Sequence, residues 1–191
     1  MLYSAMSLQG VEVVSADGRA LGRLIDAYAN TGTDVVETLI IDTTGGDVKL
    51  IPAGTIQEYD TGARRLKLGL SVADVASAEV AAAGIPVMLP IPEDPNDAIL
   101  HVVTKVTGFM VQAKDGPVGQ AADFLVDSDG LVVRFLVVDT RDWLPGSDKL
   151  IPVTWVESVD WSRRRMYLKI TQAKAKTCQR ASAGSHMLDR G

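Results

Sequence analysis

Short runs of alternating apolar and polar residues, separated by glycine-bearing turns, fill most of this chain. Leu8 to Val14, Leu21 to Tyr28 and Val35 to Asp42 each read as a strand, the third rich in β-branched residues. Asp17-Gly18 and Gly45-Gly46 mark the breaks between them. Val48 to Ile51 resumes the pattern and Pro52 ends it, because proline has no amide to give a ladder. Ile56 to Asp60 and Arg64 to Leu68 then alternate around Thr61-Gly62 as a closing hairpin. The period changes after that. Ser71-Val72-Ala73-Asp74 fits a capping box, and Val72, Val75, Ala76, Glu79 and Val80 make a mostly apolar face of a predicted helix. Gly84 suits its C′ position and Pro86 forbids continuation.

The whole pattern occurs twice. Lys49-Leu50-Ile51-Pro52 returns letter for letter as Lys149-Leu150-Ile151-Pro152. Around it, Gly10-Val11-Glu12-Val13 pairs with Gly108-Phe109-Met110-Val111, and Asp17-Gly18 with Asp115-Gly116. Leu21-Gly22 pairs with Val118-Gly119, Asp26 with Asp123, and Leu39 to Thr43 with Leu136 to Thr140. Asp60, Arg64-Arg65 and Leu68 return as Asp160, Arg164-Arg165 and Leu168. The offset changes only at turns and in the loop around Trp143, where insertions are tolerated. Thr171 to Arg180 is a weaker counterpart of the helix. Repeats of this kind announce a duplicated structural unit.

The expected fold is therefore all-β: two small barrels in tandem, each followed by a short helix, with barrel closure removing exposed edges. The expected divisions are residues 1–83, a proline-rich apolar linker at 84–104, a second repeat at 105–180 and a disordered tail at 181–191. Ile85, Val87, Met88, Leu89 and Ile91 make the linker too apolar for a free tether, so it is expected to lie across a lobe. The two barrels are expected to pack as an internal pseudo-dimer through linker and helices. Lys49 and Lys149 are expected to face solvent.

These residues resemble the PRC-barrel family. The likeness rests on a Gly near the first strand, an Asp-Gly turn, a Leu-Gly or Val-Gly after it, a hydrophobic strand ending in Asp, and an Ile-Pro before the closing hairpin. That domain occurs in the cytoplasmic part of the photosynthetic reaction-centre H subunit and in the C-terminal half of a ribosome-maturation factor. Asp139 to Gly146, Trp155-Val156 and Val159-Asp160-Trp161 make the second repeat the closer match, similar to stand-alone bacterial members of the family. The resemblance implies PRC-type barrels and an adaptor or assembly role without catalysis.

Composition narrows the picture further. The 191 residues are 47% hydrophobic and 23% charged, ordinary for a globular chain. A formal net charge of −5 argues against general nucleic-acid or polybasic membrane binding. The charge is uneven: residues 1–83 carry 6 Lys and Arg against 11 Asp and Glu, whereas 105–180 carry 12 against 9. Cys178 is the sole cysteine, so no intrachain disulfide forms. No run approaches the ~20 apolar residues of a spanning helix. A basic n-region followed by a long apolar run is not seen at the start, and the cytoplasm is the default location.

Candidate chemistry is sparse. Asp26, Asp42, Asp123 and Asp139 recur in register, and two carboxylates per lobe suit an acid/base pair or a cation site. Asp residues at strand ends more commonly accept backbone amides or pair with a base such as Arg141. Asp127-Ser128-Asp129-Gly130 starts like a calcium loop but lacks the closing acid, so a hairpin turn is expected. His101 has no partner ligand for a metal. Basic neighbours can lower the thiol pKa of Cys178. Arg163, Arg164 and Arg165 form the one basic concentration, a candidate polyanion contact set against a solvated turn. All three tryptophans lie in the second repeat: one or both of Trp155 and Trp161 are expected to fill core or inter-lobe space, and Trp143 sits in the longer loop. Arg141, Trp143 and Leu144 are the leading partner-binding residues, since Trp and Arg anchor interfaces. The expectation is a non-enzymatic protein-binding or assembly module with no cofactor, no metal and no membrane insertion, homo-oligomer formation being compatible with it. An RNA- or ribosome-associated factor and a small-ligand or metal-binding protein are the alternatives.

Overall fold

The structure is a computed structural model that describes every residue except 1, 31, 82–87, 91–98, 128–130, 142–147 and 182–191. It is built from strands with a few short helices, and it divides into two units. One is Ser7–Val103. The other joins Met1–Met6 to Thr104–Gly191. The chain opens with β1 (Leu2–Ser4) and a single helical turn, α1 (Ala5–Leu8), where the alternation had suggested the beginning of a longer strand. Gly10, at φ +73°, redirects the chain from that turn into the next strand.

The Ser7–Val103 unit contains β2 (Glu12–Val14), β3 (Ala20–Asn30), β4 (Val36–Thr43), β5 (Val48–Pro52), β6 (Ile56–Asp60), β7 (Arg65–Leu68) and α2 (Val72–Ser77). Their order in the sheet is β5-β4-β3-β2-β7-β6. All neighbours are antiparallel except β2 and β7, which run parallel with Glu12 beside Arg65. A 3-10 turn at Ala53–Thr55 carries the chain from one end of this path to the other. Within the linker, β8 (Met88–Pro90) pairs with β9 (Ile99–Val102), and β9 pairs with the end of β3.

The second unit repeats the plan. It contains β10 (Met110–Ala113), β11 (Gly116–Asp127), β12 (Val132–Asp139), β13 (Lys149–Pro152), β14 (Val156–Asp160), β15 (Arg165–Leu168) and α3 (Gln172–Lys176). The order is β13-β12-β11-β10-β15-β14, again with one parallel pair, β10 and β15. In each unit the inward row is apolar and closely buried. Val13, Ile41, Ile51 and Leu68 are at 0% exposure in one, as are Val111, Val138 and Ile151 in the other. β4 and β12 are buried on both faces, which explains their unbroken apolar runs. On the second face Ile40 clusters with Tyr28, while its counterpart Val137 clusters with Leu2, Leu125 and Leu150.

The boundary between units differs from the expected one because the chain exchanges strands. β1 pairs with β11, with Leu2 opposite Asp127 and Ser4 opposite Leu125. β9 pairs with β3 in the corresponding register, with Leu100 opposite Asn30 and Val102 opposite Tyr28. Each repeat's leading strand thus completes the sheet of the other repeat. Asp123 holds β1 in place: it accepts hydrogen bonds from Ser4 Oγ, from the Met6 amide at 3.1 Å and from the Phe124 amide at 2.7 Å.

The trailing helices are shorter than the pattern predicts. α2 has its capping box, with Ser71 Oγ accepting from the Asp74 amide and the Asp74 carboxylate accepting from the Ser71 amide. It ends at Ser77, however, and Val72 and Val80 are 42% and 53% exposed. Only Val75 is buried. The chain leaves the helix to pair with β5, through a Leu50 amide to Glu79 carbonyl bond of 3.0 Å and an Ala81 amide to Val48 carbonyl bond of 2.9 Å. Ala181, expected to begin the tail, makes the equivalent bond to the Asp148 carbonyl at 2.9 Å. The rest of the expected tail lies outside the described residues.

Candidate protein-binding face

Register places five outward side chains of one repeat against five of the other. In the Ser7–Val103 unit, Glu12 on β2 stands between Arg23 on β3 and Arg65 on β7, and Glu58 on β6 lies opposite Lys67. The strands alternate, so these residues point away from Val11, Val13 and Leu66, which are buried. Charges of opposite sign alternate across this face. Arg65 Nε lies 2.8 Å from Glu12 Oε2 in a solvent-exposed ion pair, worth at most ~1 kcal/mol. Arg23 Nη1 caps the Gly10 carbonyl at 2.9 Å.

The same five positions in the second unit are Gln120, Met110, Arg165, Ser158 and Tyr167. Met110 stands between Gln120 and Arg165, and Ser158 lies opposite Tyr167. Four charges have gone and one guanidinium remains. Met110 is 36% exposed, a large apolar side chain on an open sheet face. Arg165 is exposed, and its guanidinium makes no hydrogen bond or ion pair among the described residues. Asp160 is its neighbour in register on β14, but that carboxylate is engaged with Ser162 Oγ at 2.6 Å and the Arg163 amide at 2.9 Å. Those bonds hold Asp160 below the usual carboxylate pKa, the Ser162 hydroxyl contributing most. Met, Arg and Tyr are the residue types that concentrate at protein interfaces. Sequence reasoning missed this face, although the signal was present in the pairing of Glu12 with Met110 and of Lys67 with Tyr167.

The residues singled out from sequence meet different fates. Trp143 and Leu144 lie outside the described residues. Arg141 is exposed and folds back on Asp139: its amide and Nε each lie 3.0 Å from Asp139 Oδ1, and Nη2 also contacts the carboxylate. These bonds hold the Asp139 carboxyl below its usual pKa. Asp148 is pushed up by burial and by the charge of Asp139. Of the three arginines in the basic hairpin, Arg163 lies 3.6 Å from Asp160. Arg164 adopts φ +53° at the turn and places its guanidinium 5.4 Å from the Phe109 ring centroid. Of the three, only the Arg165 guanidinium is uncommitted among the described residues.

The repeated aspartates are not paired with each other across the ladder. Asp42 lies opposite Arg23 and Asp26 opposite Ile40, while Asp139 lies opposite Gln120 and Asp123 opposite Val137. Asp26 is buried and accepts from the Ala27 amide at 2.8 Å. Among the described residues no three His, Cys, Asp or Glu side chains come together to hold a metal ion. Burial pushes the Cys178 thiol up, outweighing the lowering effect of its basic neighbours Lys149 and Lys174. Trp155 and Trp161 are half-buried rather than core residues. Lys174 lies over the first at 5.5 Å, and Phe109 meets the second edge-on at 5.4 Å. No helix among the described residues is long and apolar enough to cross a membrane.

Lys49 and Lys149 overturn the expectation of solvent-facing side chains. They are 6% and 4% exposed. Lys49 Nζ donates to the carbonyls of Ala76 and Ala78 at 3.0 and 2.9 Å, and Lys149 Nζ to those of Lys176 and Cys178 at 2.8 and 2.9 Å. Each ammonium caps the negative end of the helix that follows its barrel.

Residues 2–68 match the model of the PRC-barrel domain family. That stretch is a PRC-barrel domain. The matched stretch spans the first repeat and includes β1, the strand that folds into the other unit. No curated protein matches the chain.

Proposed function

We propose that this chain is a non-catalytic protein-binding or assembly module. In this reading, a duplicated PRC-barrel scaffold presents the outward sheet face of its second repeat to a protein partner. The PRC-barrel match supports the general role of an interaction or assembly domain. The observation that carries the particular reading is the contrast between the two faces. Strand order and register are the same in both repeats, yet Glu12, Lys67 and Glu58 are replaced by Met110, Tyr167 and Ser158. A scaffold that needed only solubility would keep the charged face. An exposed methionine and a half-buried tyrosine around an arginine with no side-chain partner among the described residues favour contact with another surface.

The test restores the charged face. Met110→Glu with Tyr167→Lys gives the second repeat the residues of the first at exposed or half-buried positions, so melting temperature is expected to change little. Wild type and variant are used to capture proteins from an extract of the source cells, with identification by mass spectrometry. The expected result is a protein retained by wild type and lost from the variant. An identical captured set would overturn the reading.

A further inference from the structure

We infer that the partner of this face is an acidic protein segment, whose carboxylate takes the place on Arg165 that Glu12 occupies on Arg65, with an aliphatic side chain beside it to cover Met110. The inference rests on the protein-binding reading above and adds the chemistry of what is bound. In the Ser7–Val103 unit the guanidinium has its acid within the sheet, Arg65 Nε to Glu12 Oε2 at 2.8 Å. In the second unit the register is the same and the acid is methionine, so the Arg165 guanidinium is left with no partner among the described residues. The nearest carboxylate in register, Asp160, is held by Ser162 and Arg163. Arg163 and Arg164 precede it on the adjoining turn, and residues 105–180 carry 12 bases against 9 acids, so the surroundings favour an incoming negative charge.

The remaining groups decide between a protein carboxylate and a nucleic-acid phosphate. A phosphate site would gather several free cations, whereas Arg163 pairs with Asp160 and Arg164 stacks on Phe109. What adjoins Arg165 is apolar and aromatic: Met110 alongside it, and Tyr167 two residues further along β15. Arginine's planar fork suits a carboxylate, and the thioether of Met110 adapts to an aliphatic neighbour. An acid next to Leu, Ile or Val meets both demands.

Selection of random peptides displayed on phage against the intact chain tests this. Selected peptides are then synthesised and measured by fluorescence anisotropy with wild type, Arg165→Gln, Arg165→Glu, Met110→Glu and the double variant Met110→Glu with Tyr167→Lys. A labelled single-stranded RNA oligonucleotide is measured in parallel. Selected sequences are expected to place Asp or Glu beside an aliphatic residue. Affinity is expected to fall on the order of tenfold in Arg165→Glu, about 1.4 kcal/mol, and to fall in Met110→Glu, where the new acid occupies the arginine from within. Because these residues are exposed, circular dichroism is expected to show all variants folded. Peptides that bind the face without acids, and are lost only in Met110→Glu with Tyr167→Lys, would overturn this inference and leave the protein-binding reading standing. Peptides indifferent to every face variant, or no selected peptide at all, would sink both. Tighter binding of the RNA, lost in Arg165→Glu, would replace the acidic segment with a phosphate ligand.

Discussion

Lys49 Nζ donates to the carbonyl oxygen of Ala78 at 2.9 Å, and so ties β5 to the end of the helix α2 that follows its sheet. Its counterpart Lys149 does the same with Cys178. An ammonium taken out of water is costly unless its hydrogen bonds are replaced. Two carbonyls at a helix C-terminus, where partial negative charge accumulates, replace them. Lys149→Met keeps the length and apolar stem but leaves the Lys176 and Cys178 carbonyls without their donor. A loss of ~1–3 kcal/mol is expected, or roughly 2–12 °C in melting temperature for a chain of this size. Faster hydrogen exchange is expected at the Leu150 and Ala181 amides, which bond the segment after the helix. An unchanged melting temperature and unchanged exchange would refute the capping role.

Gly22 lies against the backbone of Asp42, and Gly119 against that of Asp139. A Cβ on Gly22 would stand 2.0 Å from the Asp42 carbonyl oxygen, and one on Gly119 would stand 1.9 Å from that of Asp139. Both glycines have φ near +155°, which side chains rarely adopt. Gly22→Ala is therefore expected to push β3 and β4 apart and to cost more than ~3 kcal/mol. Gly46→Ala is the control. It has φ +88° but nothing within 4 Å of its Cβ, so only about 1 kcal/mol is expected. Comparable denaturation midpoints for the two variants would contradict the steric account.

The sheets were legible in the sequence because alternation and turn dipeptides are local signals, and because each signal came twice. The capping box at Ser71 was legible for the same reason. The roles of Lys49 and Lys149 were not. A strand pattern gives the same letters whether a lysine faces water or the carbonyls of a helix 27 residues away. The exchange of β1 was also hidden, since three residues carry no periodicity and their partner strand lies more than a hundred residues on. The candidate face needed the register. Only the pairing of Met110 with Arg165, set beside that of Glu12 with Arg65, turns two ordinary substitutions into a change of surface chemistry.

Strand exchange makes the second unit dependent on the first six residues. β1 covers Leu125–Asp127, and Leu2 packs with Leu125, Val137 and Leu150. Deleting residues 1–6 is expected to expose the edge of β11 and to speed hydrogen exchange at Leu125 to Asp127, with much less change at Tyr28 to Asn30, which keep β9. Asp123→Ala is expected to give a milder form of the same result, because it removes the acceptor of Ser4 and Met6 while leaving the strand present. If exchange slowed or stayed level at β11 in the deletion, β1 would not be holding that edge.

Acid dependence separates the two carboxylates around Arg141. The Arg141 guanidinium and amide hold Asp139 below its ordinary pKa. A depressed folded pKa contributes stability above the unfolded value of about 3.9 and loses it as pH falls through the folded pKa. Asp148 has the opposite sign. Burial and the Asp139 charge raise its pKa, and Arg141 opposes them. Its neutral form is the favoured one in the fold, so it adds stability below the unfolded pKa and loses that as pH rises through the raised value. Arg141→Ala is expected to move both carboxyl titrations upward, read as a coupled pair by carbon-detected NMR. The melting-temperature deficit of the variant is expected to be largest near neutrality and to shrink as pH falls through the titration of the two carboxyls. Because Arg141 is mostly exposed, solvent screening keeps the deficit small. A deficit that grew on acidification would reverse the assigned signs.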